Sequence, residues 1–162
     1  MDHLFNQYSL LITASLLVIA IALLLYRRDS RIKTSDLVAL GVLVLALGFG
    51  WWLIHPVQTV LSEDARDVTA MIGQGQPVLL EFQSPYCISC TVIKPTIDGL
   101  AKEFQGRLLI IRLNVQEPVG RELAPVYMFE YTPTFIFFDA GGSELWRQIG
   151  GLDPARVRES MK

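Results

Sequence analysis

The residues best suited to chemistry are Cys87 and Cys90, the only two cysteines in the 162-residue chain. They are spaced Cys-x-x-Cys within Pro85-Tyr86-Cys87-Ile88-Ser89-Cys90. An apolar run, Val78-Leu79-Leu80-Glu81-Phe82, precedes them, and a helical pattern follows to about Phe104. A strand that delivers such a pair to a helix start is a redox arrangement. The first helical N–H groups have no intrahelical acceptor, and together with the helix dipole they stabilise a thiolate. Cys87 is therefore the expected nucleophile, which forms a mixed disulfide with a partner. Cys90, one turn on, is the expected resolving thiol. One Cys-x-x-Cys cannot staple a small secreted fold, which needs several pairs. A zinc site lacks ligands, because there is no second cysteine pair and the two histidines, His3 and His55, belong to the apolar N-terminal part, residues 1–55. No metal and no separate cofactor is expected beyond the Cys87–Cys90 disulfide.

Glu81 is a carboxylate inside an apolar strand. Burial raises a carboxyl pKa, so Glu81 is a candidate acceptor for the Cys90 proton during resolution. The plainer alternative is an edge-facing Glu paired with a base such as Arg112.

The elements that position the pair follow in order. Half of the chain is hydrophobic, 51%, and the excess lies in the first third. Leu10 to Tyr26 is nearly unbroken apolar sequence, extendable back to Tyr8. Its length matches the roughly 17–25 residues of a spanning helix. Met1 to Gln7 has no Lys or Arg, unlike the positive start of a secretory signal, so the run reads as a retained span. A second apolar run, Leu37 to Ile54, ends in Trp51-Trp52, and its Gly41 and Gly48 suit close helix packing. The division expected is a membrane anchor at 1–55, with spans at about 8–26 and 37–54, and a second domain at 56–162. Arg27, Arg28, Arg31 and Lys33 make the loop between the spans the densest basic stretch. The positive-inside rule puts that loop in the cytoplasm and both termini outside. The net charge of −2, with no other basic run, argues against nucleic acid as a partner.

Beyond the anchor, Ser62 is a candidate cap for a helix whose first turn carries Glu63 and Asp64 and which ends near Gly73-Gln74-Gly75. Strands are expected at Val78–Phe82, Leu108–Leu113, Thr134–Phe138 and Glu144–Ile149. Helices are expected from Cys87, kinked at Pro95, and from Gly120 to about Met128. A last helix starts from the Asp153-Pro154 cap. The order α-β-α-β-α-β-β-α describes an α/β fold, a mixed sheet with helices on both faces.

This pattern resembles the thioredoxin family over roughly Val57 to Lys162. The strand Val78–Phe82 before Cys87, Pro95 five residues after Cys90, Tyr131-Thr132-Pro133-Thr134 before Phe135-Ile136-Phe137-Phe138, and Gly150 all fall where the family has its hallmarks. The resemblance implies a cis peptide at Thr132–Pro133, a substrate groove lined by Thr132 and Pro133, and a rim including Tyr86, Pro85, Ile88 and Gly150. Trp146 and Phe135–Phe138 read as core. The chain departs from the common pattern with Ile88-Ser89 between the cysteines, Glu81 for the family's buried Asp, and Gln83 for a tryptophan. The hairpin resembles the anchors of envelope and thylakoid-lumen redox proteins, including those of c-type cytochrome maturation. The function implied is thiol–disulfide exchange with extracytoplasmic proteins, from a bacterial inner or plasma membrane, with a membrane redox partner. Reduction is favoured over oxidation. The alternatives are a membrane-tethered assembly or chaperone module and a soft-metal chaperone.

Overall fold

A computed structural model describes residues 6, 8–28, 33–54 and 64–162. The expected domain boundary at 55/56, the middle of the basic loop, Ser62, Glu63 and both histidines lie outside the described residues.

Two apolar helices, α1 (Ser9–Arg28) and α2 (Thr34–Ile54), come first and contact each other. Ser9–Arg27 has the length and mean hydropathy, 2.6, to cross a membrane. The apolar part of α2, Thr34–Gly50, is shorter, so among the described residues one candidate span is found where two were expected. Among the described residues Gly41 and Gly48 are not packing notches, since a Cβ at either would meet none of their atoms within 4 Å.

The second part follows the expected order: α3 (Ala65–Ala70), β1 (Val78–Gln83), α4 (Ile88–Glu103), β2 (Leu109–Asn114), α5 (Pro118–Val126), β3 (Thr134–Phe138), β4 (Glu144–Ile149) and α6 (Pro154–Ser160). The sheet order is β2-β1-β3-β4, with β1 and β2 parallel and the other pairings antiparallel. This is the expected mixed sheet.

Strand periodicity divides the core in two. Val78, Leu80 and Phe82 of β1 face one side, with Ile111 and Leu113 of β2 and Ile136 and Phe138 of β3. Ala65 and Val68 of α3 and Val119 and Leu123 of α5 cover them. Leu79 faces the other side with Phe135, Phe137 and Trp146, under Ile97 and Leu100 of α4 and Val157 of α6. Each buried side chain of this size contributes roughly 1.5–3 kcal/mol. The same alternation puts Glu81 on the Leu79 side, beneath α4. Trp146 is a core residue, stacked on Phe137 at 5.2 Å and donating its indole N–H to Ser160 Oγ at 2.8 Å.

Helix ends explain the differences from expectation. Asp64, not Ser62, caps α3: its Oδ1 accepts the Arg66 N–H at 2.8 Å. α5 starts two residues before Gly120, because Pro118 takes a first-turn position where its missing N–H costs nothing. α4 continues through Pro95, and Asp153 caps α6 as expected. At Gly120, α5 touches the strand below so closely that a Cβ would stand 2.0 Å from the Asn114 carbonyl oxygen.

Gly120→Ala must therefore push α5 off β2. We expect a loss of about 3 kcal/mol, at the upper end of overpacking effects, measured by denaturant unfolding of the full chain in detergent. Unchanged stability would contradict this packing.

Candidate active site

Cys87 does not belong to α4 but caps it. Its backbone is extended, with φ −93° and ψ 119°, and its Sγ accepts the Cys90 N–H at 3.2 Å. The Cys87 N–H donates to the Ser84 carbonyl at 3.2 Å, which turns the chain from β1 into α4. Both cysteines are free thiols, and both sulfurs are buried, each residue being 1% exposed.

Burial alone would raise both thiols alike, and hydrogen bonding separates them. The Cys90 side chain stabilises the Cys87 thiolate, more than offsetting its desolvation. Thr132 and the N–H groups of Cys90 and Ser89 add to this, and the Cys87 pKa falls to about 6. Cys90 moves the other way: burial pushes it up strongly, and its hydrogen bond to the Cys87 sulfur and the charge there reinforce the shift. One sulfur is a thiolate at neutral pH and the other is held as a thiol. Sequence reasoning assigned the lowering to the helix terminus; in the structure the Cys90 side chain is the larger cause.

Glu81 lies on the floor. It is 1% exposed, and strand register places it directly opposite Arg112 of β2. The edge-facing alternative does not hold, because β1 is an inner strand of the sheet and Glu81 is buried, although Arg112 is indeed its basic neighbour. Arg112 Nε stands 3.4 Å from Glu81 Oε2, but its guanidinium donates to Asp98 of α4 at 2.6 Å. Glu81 Oε2 accepts no hydrogen bond among the described residues. Burial therefore outweighs the Arg112 charge, and the Glu81 pKa rises to about 7, with Asp98 and Cys87 adding to the rise. The Glu81 charge in turn helps to raise Cys90.

The loop opposite is built as expected. Thr132–Pro133 is cis, and the Thr132 carbonyl lies 3.7 Å from Cys87 Sγ. Gly150, at φ +84°, donates its N–H to the Pro133 carbonyl at 2.8 Å and so ties β4 to this loop. Tyr86 is half-buried, Ile88 is 40% exposed and Gly150 is exposed.

Several contributors were not anticipated. Ser84 is fully buried, and its Oγ accepts from the Tyr86 N–H and Gln116 Nε2, both at 3.3 Å. Asp98 is the acid that draws Arg112 away from Glu81. The N-terminal residues Asn6, Tyr8, Ser9 and Leu10 reach Thr132, Tyr86 and Ile88. Only the buried serine after an apolar strand carried a local signal. Among the described residues no three His, Cys, Asp or Glu side chains converge as a metal-ligating group.

Removing the Cys90 thiol should undo the asymmetry. We expect the ultraviolet thiolate absorbance of Cys87 to titrate with a midpoint near 6. In Cys90→Ala the midpoint should rise by about one to two pH units, the worth of a hydrogen bond to a charged group. An unmoved midpoint would contradict this origin.

A family model described as Thioredoxin matches residues 59–162. The M-type chloroplastic thioredoxin of Pisum sativum is 39% identical over 109 residues, 67% of this chain and 60% of its own. That of Spinacia oleracea is 40% identical over 86 residues, 53% of this chain and 46% of its own. Thioredoxin 1 of Chlorobaculum tepidum is 30% identical over 86 residues, 52% of this chain and 81% of its own. The X-ray structure of Fasciola hepatica thioredoxin matches with a TM-score of 0.51 at 27% identity, over 60% of this chain and 90% of that one. The chain thus spans about half of the length of the M-type relatives it matches.

Proposed function

The chain belongs to the thioredoxin family, and from that premise we propose that it is a membrane-anchored thiol–disulfide oxidoreductase working through Cys87 and Cys90. The observation that carries this reading is two buried thiols three residues apart at the start of α4. There Cys87 Sγ accepts the Cys90 N–H at 3.2 Å beside the cis Thr132–Pro133 bond, so that Cys87 is pulled down to about 6 and Cys90 is raised.

The reaction has two steps. The Cys87 thiolate attacks one sulfur of a substrate disulfide. The substrate S–S bond breaks, a mixed disulfide forms, and one substrate thiolate leaves. Cys90 then gives up its proton and attacks Cys87 Sγ. The Cys87–Cys90 disulfide forms and the second substrate thiolate is released. The substrate gains two electrons and the protein dithiol loses them. Glu81 is the proton acceptor in the second step, because a carboxyl with a pKa of about 7 is half ionised where the reaction runs. Loss of the thiolate charge on Cys87 in the first step also lowers the barrier to ionising Cys90, since that charge is one of the causes holding Cys90 up.

Thr132 and Pro133 hold the substrate backbone, by strand addition beside Cys87. Tyr86, Ile88 and Gly150 form the apolar rim. The substrates are extracytoplasmic proteins, and the direction is reduction, with electrons from a membrane redox partner. The family resemblance, the apolar helices and the basic residues around Arg27 and Lys33 support this reading. α1 begins at Ser9, beside Tyr86 and Ile88, so an anchor in α1 holds the cysteines near the end of the span where the N-terminus lies.

Cys90→Ser should accumulate a substrate–Cys87 mixed disulfide on non-reducing gels, and Cys87→Ser should not. Absence of that adduct would overturn the exchange reading. Glu81→Gln should slow release of the mixed disulfide by about tenfold or more near neutral pH. The deficit should shrink as pH rises and hydroxide takes over the proton. Unchanged release from pH 6 to pH 9, on either side of the Glu81 value of about 7, would remove Glu81 from the step.

A further inference from the structure

The groove beside Cys87 is occupied by the chain's own N-terminal segment. The Thr132 N–H donates to Asn6 Oδ1 at 2.7 Å, and Asn6 Nδ2 donates to the Thr132 carbonyl at 2.8 Å. The Thr132 hydroxyl adds a third bond to Oδ1 at 2.8 Å. In an antiparallel sheet, two residues directly opposite exchange both N–H···O bonds. The Asn6 amide offers Thr132 the same donor and acceptor that one residue of an added strand would offer. It thus fills both backbone groups that a peptide would need.

The contacts continue past Asn6. Tyr8 stacks on Tyr86, with ring centroids 5.6 Å apart and planes at 18°. The Ile88 N–H donates to Ser9 Oγ at 3.3 Å, and the Leu10 N–H donates to the Tyr86 carbonyl at 2.9 Å. Each of the last two bonds satisfies a first-turn N–H that its own helix cannot. Asn6 on one side and Tyr8, Ser9 and Leu10 on the other flank a Cys87 that is 1% exposed. A nucleophilic thiol has to be reached by the disulfide it attacks.

We propose that Asn6, with Tyr8, Ser9 and Leu10, is a tethered pseudo-substrate that occupies the peptide groove and must withdraw before an extended protein segment can pair with Thr132. This rests on the thiol-exchange reading for its consequence, though not for the contact itself. Because Ser9 and Leu10 open α1, withdrawal of the segment is coupled to that helix. A groove free for a fraction of the time weakens apparent substrate binding by that fraction. Extended substrates are penalised more than small disulfides, which need Cys87 but not the Thr132 backbone.

The test compares the full-length wild type and Asn6→Ala in detergent micelles. It measures the reduction rate of insulin, the reduction rate of the small disulfide cystamine, and hydrogen exchange at the Thr132 amide. Asn6→Ala should speed insulin reduction by about tenfold, as for a groove open roughly one-tenth of the time. The insulin-to-cystamine rate ratio should rise, and Thr132 exchange should quicken. An unchanged ratio in active protein, or unchanged Thr132 exchange, overturns the proposal. If neither protein reduces either disulfide, the exchange reading fails. Thr132 exchange then still decides occupancy: quickened exchange supports the tethered segment, and unchanged exchange overturns it.

Discussion

The site depends on hydrogen bonds converging on one sulfur. Cys87 Sγ takes the Cys90 N–H at 3.2 Å and faces the Cys90 thiol, with Thr132 on its other side. Two thiols in equivalent surroundings would compete for the same role. Here donation runs toward Cys87, so its charge is stabilised while the same interaction holds the proton on Cys90. The donors exist because Cys87 caps α4, where helix geometry leaves N–H groups without partners. The cap in turn exists because Ser84, at the end of β1, accepts the Cys87 N–H and turns the chain.

The sheet supplies the second half of the chemistry. Alternation along β1 sends Val78, Leu80 and Phe82 to one core and leaves Leu79 and Glu81 facing α4. Register puts Arg112 opposite Glu81, where a tight ion pair would have locked the carboxylate in its charged form. Asp98 prevents this by taking the guanidinium at 2.6 Å, against 3.4 Å to Glu81. A group able to pick up and lose a proton near neutrality is the result. The Cys87 charge helps to raise Glu81, and the Cys87 and Glu81 charges help to raise Cys90, so the protonation of one group bears on the others.

Much of this was legible in the sequence where punctuation was local. β3 and β4 fall on their expected residues because Pro133, the Gly141-Gly142 turn and Gly150 bound them. α6 starts where Asp153-Pro154 placed it. Cys87, Cys90, Pro133 and Gly150 come together because each lies at a strand end or a helix start, and Glu81 joins them because alternation along β1 turns it toward α4. The misses are contacts between distant positions. Asp98 reads as an ordinary helix acid until α4 is laid across β2. Asn6 lies 126 positions from Thr132, in a segment informative only for its lack of basic residues. A short polar residue carries no mark of the backbone it will pair with. The hairpin expectation came from two apolar runs, the basic loop between them and the Trp51-Trp52 end of the second, and among the described residues one helix meets the length and hydropathy of a span.

The central claim is that Cys87, and not Cys90, makes the covalent bond to substrate. Turnover of the wild-type chain on a disulfide-bonded protein can be quenched with acid, and the mixed disulfide mapped by mass spectrometry. The adduct should sit on Cys87. An adduct on Cys90, or none during turnover, would contradict the account.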